Sequence, residues 1–490
     1  MVKQSVGAAK TGIFNQFRMA CRLGLPIAAL LAVAFLSSAT GVSADNTSPE
    51  QVAATLREKA LLSPGTMRIL TSLTTDVGPR LAGSDAEKRA AAWAQRTFEQ
   101  LGFDKVWTES FPIEHGWVRG IEKAEVVGTS AQPLVVAALG GSIATPPEGI
   151  EAEIAVFKTY EALLAAPVGS LKGKIAVVTQ PMVRAQDGSG YGFAARIRSS
   201  GASEAARRGA VGYLLRSLGT DSHRIPHTGA MHYAADAPKI PAAALSVPDA
   251  EQLDRLVAEG GPVRVRLVLT PRDPGAVTSQ NVIAEIKGSE KPEEIVLIGA
   301  HLDSWDLGTG AIDDGAGVAI AMSATKLIHD LPQRPKRTIR VVLYGSEEIG
   351  LVGGKAYAES HKAELNHYVV VAEPDLGQGP IYKFQTGVAT PEEASLKIIR
   401  VALAPLGIVP GDNLSRGSSD VEPLAEAGVP AVTLEMDGSD YFDLHHTSDD
   451  TLDKVRPERI NQTTAAYAVF LYLTAELDGD YRAKAPVAAK

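Results

Sequence analysis

The chain has 490 residues, 45% of them apolar and 21% charged, with a formal net charge of −9. That balance excludes a disordered chain and argues against a nucleic-acid-binding surface, which would be basic. The length exceeds what one ordinary core organises, so two domains are expected, one nested in the other.

Lys3, Lys10, Arg18 and Arg22 precede the apolar run "LGLPIAALLAVAFL", and "GVSA" ends in a small-x-small site at Ala44. This is the order of a cleaved secretory signal, so residues 1–44 are set apart from the fold. The mature chain is expected to be secreted or periplasmic, without membrane association. The apolar run is shorter than the roughly 20 residues that span a bilayer. Met19 would give the leader a more ordinary length. The one cysteine, Cys21, lies before the run, which leaves the mature chain without a disulfide or a thiolate ligand.

Residues 45–131 open the main domain. Residues 50–62 read as an amphipathic helix. "GPRLAGS" is a loop, and Asp85–Gly102 is a helix with Ser84 as N-cap and Glu87 completing a capping box. "DKVWTESFPI" and "IEKAEVVG" are strand-like. Over residues 132–274 short β-rich runs alternate with Pro and Gly around one helical stretch, "SGASEAARRGA", which marks an inserted β-rich module. Residues 275–490 then alternate strand and helix, ending in a helix over Pro457–Leu477 and a Pro/Ala/Lys tail expected to be disordered. The fold class is therefore α/β, a mixed sheet with helices on both faces.

In such sheets ligands bind at the carboxyl ends of the strands. His301 and Asp303 follow "EEIVLIGA", and the next loop ends at Asp313–Asp314. Glu347 and Glu348 follow "RTIRVVLYGS", Asp375 follows "HYVVVAEP", and His445 and His446 follow "PAVTLEM" at a short distance. One carboxylate after a strand is usually a loop cap. Four strands delivering carboxylate or imidazole to the same edge form a pattern that separate caps would not. Those are the donors zinc takes in the absence of thiolates. So many carboxylates carry more charge than one dication balances, and two metals about 3.5–4 Å apart fit a co-catalytic site. Asp313 is suited to bridge them.

"HLDSW…GAIDDGAG", "SEEIGLVGG", "AEPD" and "HHTSDDT" resemble the di-zinc exopeptidases of the bacterial leucyl aminopeptidase and glutamate carboxypeptidase type. The likeness covers most of the mature chain and implies the zinc exopeptidase fold. The inserted module resembles the protease-associated domain of one branch. The resemblance implies two Zn2+ per chain: His301, Asp313 and Asp375 at one, Asp313, Glu348 and His446 at the other. Asp303 would accept the other ring N–H of His301. Glu347 matches the general base, which takes a proton from water and passes it to the leaving amine. The implied partner is a peptide substrate, and relatives suggest a homodimer.

Other residues carry weaker signals. His445 is expected to pack or cap, with contact to a developing oxyanion as the sharper alternative, and Asp314 to brace its loop. His223, His227 and His232 lie in the inserted module, where they read as part of a polar loop, with a lid over the active site as the sharper alternative because "PHTG" resembles one branch of the family, and a third metal site as a minor one. "RGSSD" contains Arg416, the one basic candidate for substrate binding. Relatives often have His after the Asp near here, whereas Val421 follows Asp420.

The leading reading is a secreted metallo-exopeptidase acting on dipeptides or N-terminal residues. A carboxypeptidase holding a free C-terminus, a glutaminyl cyclase on the same fold and a non-catalytic receptor are the alternatives. Retention of all five ligands and Glu347 weighs against the receptor.

Overall fold

The Val-, Ile- and Leu-rich runs after Asn281 form the centre of a mixed eight-stranded sheet. A computed structural model describes residues 47–482. The expected signal segment and the last eight residues of the tail lie outside the described residues. The strand order is 105–113, 277–286, 337–344, 291–301, 368–372, 431–436, 381–387 and 409–410. Lys291–His301 is central, pairing in parallel with Arg337–Tyr344 on one side and Tyr368–Ala372 on the other. Every residue of Arg337–Tyr344 and Tyr368–Ala372 is buried. Strands covered on both faces read as continuous apolar runs instead of alternating ones. Arg337 and Arg340 are tolerated there because each guanidinium is paired, with Glu294 and Glu285 respectively.

The helix Ala316–His329 is apolar nearly all round because it lies between the sheet and the helices Pro49–Leu62 and Pro457–Glu476. The helices Pro49–Leu62 and Asp85–Leu101 start at serine N-caps. Ser48 forms a full capping box with Gln51. Ser84 accepts from Glu87 N, but the Glu87 carboxylate turns back to Gly83 N at 2.7 Å, so the expected box is only half formed.

A second eight-stranded sheet is built from residues 122–269, between two neighbouring strands of the first. It takes in Glu122–Val127, just before the stretch read as an inserted module. Its helix Ser189–Arg207 begins well before "SGASEAARRGA", Gly190 and Gly192 having obscured the first turn. The helix Val247–Ala258 and the antiparallel strand Ile381–Gly387 were not anticipated. No helix among the described residues is long and apolar enough to cross a membrane.

Candidate metal and catalytic centre

Asp313 stands between two histidines. Its Oδ1 lies 3.1 Å from His301 Nε2 and its Oδ2 3.1 Å from His446 Nε2. Asp375 Oδ1 is 3.6 Å from His301 Nε2, and Glu348 Oε2 is 2.9 Å from His446 Nε2. His445 stacks on His446 with ring centroids 3.4 Å apart, and its Nε2 is 3.6 Å from Asp313 Oδ2. His301, Asp313 and Asp375 therefore offer one converging donor set, and Asp313, His445 and His446 another, with Glu348 alongside.

The local chain explains the convergence. His301 ends the central strand, and the turn after Tyr344 puts Ser346 at φ 59°, which aims Glu347 and Glu348 inward. His446 has φ 62°. Buried carboxylates brace the acidic loop. Asp314 accepts from His301 N at 3.2 Å and Gly317 N at 3.0 Å, as expected of a brace. Asp450 accepts from Ile312 N at 2.6 Å and Asp313 N at 3.2 Å. Arg80 of "GPRLAGS" is fully buried and donates to the carbonyls of Leu302, Thr309 and Gly310. Asp450 and Arg80 escaped sequence reading; their one signal was proximity to "HHTS" and "GPRLAGS".

Asp303 departs from expectation. His301 Nδ1 donates to the Asp303 main-chain carbonyl at 3.0 Å, while the carboxylate oxygen is 3.7 Å away. The carboxylate instead accepts the N–H groups of Glu347 and Glu348. His446 Nδ1 faces Thr228 O at 3.2 Å. A histidine whose Nε2 ligates metal carries its proton on Nδ1, so both contacts suit metal-binding tautomers.

Charge confirms that cations fit. Asp313 Oδ2, Glu348 Oε1 and His445 Nδ1 are buried without a hydrogen-bond partner. Burial alone would lower the His301 imidazole, but Asp303, Asp313 and Asp375 hold it well above its ordinary value. His446 is likewise opposed by burial, yet Glu348 and Asp313 push it up to about 9. Without metal, protons occupy this cluster; with metal, they must leave. Burial drives the Glu347 carboxyl well above the usual range, with His301 opposing and Asp375 and Glu348 adding to it.

These groups line a cavity of about 370 Å³, together with Tyr191, Arg198, Leu376, Tyr441 and Phe442. Ser419 donates its hydroxyl to Asp375 Oδ2, a contact not foreseen. Arg416 is not in this cavity; it is exposed beside a separate pocket lined by Gly387, Ser415 and Glu426, so it does not reach the cluster. The three histidines of the inserted module do not gather. His227 is buried between Asp221 Oδ2 at 2.7 Å and His445 O at 2.8 Å, while His223 and His232 are exposed.

A carboxylate lodged between two imidazoles at the strand ends of a mixed α/β sheet defines the class as a metal-dependent hydrolase. Comparison then places the chain. The model of peptidase family M28 matches residues 281–471. Human carboxypeptidase Q is 37% identical over 84% of this chain and 85% of its own. A solved peptidase M28 precursor from Shewanella amazonensis SB2B superposes with TM-score 0.87 at 49% identity, over 89% of this chain and 99% of that one. The zinc aminopeptidase BSAP of Bacillus subtilis shares the fold at TM-score 0.62 and 21% identity, over 84% of this chain and 95% of that one. The chain belongs to peptidase family M28 and is a metallopeptidase.

Proposed function

We propose that this protein is an exported exopeptidase that cleaves short peptides with two zinc ions. The observation that carries the proposal is the placement of Asp313, one oxygen toward each of two buried histidines. His301 and Asp375 complete one zinc site with it, Glu348 and His446 the other. Zinc bound there supplies Lewis acidity, polarising the scissile carbonyl and lowering the pKa of an attacking water toward about 7.

The chain's own groups do the rest. Glu347 lines the same cavity; beside bound zinc its carboxyl, raised in the metal-free cluster, would ionise, and it can then take the water's proton and return it to the leaving amine. Asp303 fixes the backbone of Glu347 and Glu348 through their N–H groups. Tyr191, Tyr441 and Phe442 wall the cavity and exclude bulk water. The signal-like segment supports export, and the enzyme would meet peptides outside the cytoplasm. The β-rich residues 132–274 serve as the inserted domain that closes one side of the cavity.

The test is metal analysis and peptide hydrolysis with purified mature protein. Two zinc ions per chain and chelator-sensitive release of amino acids are expected. Glu347→Gln should lower kcat by about 10²–10⁴-fold while both zinc ions stay bound. Unchanged turnover in that variant would refute the role given to Glu347.

A further inference from the structure

The catalytic cavity is one chamber of a longer cleft. Ala230 and His232 line both it and a second cavity of about 700 Å³. On the facing wall the turn after Glu348 does the same. Gly350 and Leu351 border the catalytic cavity, Ile349 and Val352 the second. The two chambers therefore meet between the strand-end loops of the first sheet and the module of the second, with the metal cluster in the smaller chamber.

The far end of the smaller chamber is shut. There Gly438 N donates to Gln186 O at 2.8 Å and Thr220 N to Phe442 O at 3.1 Å, and Arg184 pairs with Asp443 at 2.7 Å. Gly188 sits against Leu376 and Phe442, which line the catalytic cavity. Substrate at the metals is stopped on that side, and the cleft continues toward the second chamber.

That chamber is built for apolar groups. Its charged lining residues, Glu114, Lys239 and Arg272 among them, are exposed. Its buried lining is apolar, with Met231 at 3% exposure and Trp305 at 4%. Trp117 meets Trp305 edge-on at 6.3 Å between ring centroids. Gly140 makes room for this corner, since a Cβ there would fall 2.0 Å from the Trp305 ring. The Trp305 ring also lies 5.8 Å from that of His446, so the chamber begins one ring away from the metal cluster. Close-packed interiors leave few voids larger than a water molecule. A chamber of this size, with an apolar floor and a polar rim, has the construction of a ligand site. Its two indoles favour another ring, edge-on or offset.

We infer that the second chamber is the specificity pocket for a bulky apolar residue, aromatic above all, on the open side of the scissile bond. Preferred substrates are short peptides with such a residue at that position. The inference rests on the exopeptidase reading above.

The test compares Ala-Ala, Ala-Trp and Trp-Ala with zinc-loaded protein. Wild type should prefer at least one Trp dipeptide over Ala-Ala by about 10- to 100-fold in kcat/KM, the range for burying one large apolar side chain. Ile143 and Ala144 both line the second chamber and are exposed, so substitution there spares the core. Ile143→Asp places a charge in the wall, and Ala144→Trp takes up space. Each should cut one of the Trp preferences about tenfold, mainly through KM. Zinc content and thermal unfolding show that the variants are folded and loaded. Absence of any Trp preference in wild type overturns this inference alone, as do preferences that survive in both folded variants. A zinc-loaded wild type that cleaves none of the three, nor any longer peptide, overturns the exopeptidase reading and this one with it.

Discussion

Asp303 Oδ1 accepts the main-chain N–H of Glu347 at 2.9 Å, and its Oδ2 that of Glu348 at 3.2 Å. Asp303 is fully buried, and each carboxylate oxygen has one N–H to satisfy. Asparagine would present an amide donor to one of those N–H groups. Asp303→Asn should therefore displace the Glu347–Glu348 turn and lower kcat about 10- to 100-fold, the range for lost supports of a metal site. Steady-state kinetics beside zinc analysis check this. Wild-type kcat would show that the turn holds itself.

Asp313 contributes an oxygen toward both histidines, whereas His446 faces one side alone. Asp313→Ala should bring bound zinc below one ion per chain, while His446→Ala should keep about one, as expected when a shared ligand serves two metals. Equal zinc loss in the two variants would refute the shared role of Asp313.

Loading should depend on pH. His446 is held at about 9 and His301 well above its ordinary value in the metal-free cluster, and zinc takes only the neutral rings. Below pH 9 metal entry must expel protons, so apparent zinc affinity should fall as pH drops from about 9 toward about 6. Calorimetry in two buffers of different ionisation enthalpy measures the protons released. No release at neutral pH would contradict the assignment.

Glu87 offers a stability test away from the ligands. It is buried and accepts from Gly83 N and from the hydroxyls of Ser279 and Ser346. Burial, with Asp303 adding, raises its carboxyl from 4.5 to about 8. A raised carboxyl favours the fold below its unfolded value and loses that advantage as pH rises through the folded one. Wild-type stability should decline between pH 4.5 and about 8 in part through Glu87. In Glu87→Gln the drop in Tm between pH 5 and pH 8.5, on the order of several degrees in wild type, should shrink. Equal drops in both proteins would rule Glu87 out as the source.

Much of the architecture was legible because it is local. The central strands announce themselves as unbroken β-branched runs, and Ser84 marks a helix start. The strand ends could be read off in order, which is why His301, Asp313, Glu347, Glu348, Asp375 and His446 could be named together. The helix Ser189–Arg207 was cut short because glycines near its start oppose helix propensity, a preference that packing against the strand Gly212–Arg216 overrides.

What lies around those residues was settled by long-range contact. Arg416 and Arg198 are both plain arginines in sequence, yet one is exposed by a remote pocket and the other is clamped within the catalytic cavity. Asp303 could have served His301 through its carboxylate, but the turn after Tyr344 brought two unpaired N–H groups to it first. Thr228 and His446 meet across 218 positions, and no periodicity links them. Sequence pattern by itself determined the central strands, the helices between them and which chemically able side chains sit at strand ends, since these follow from nearest-neighbour geometry. Tertiary structure alone decided which donor faces which acceptor, because buried polar groups must be paired and the partners come from whichever segment packing brings within reach.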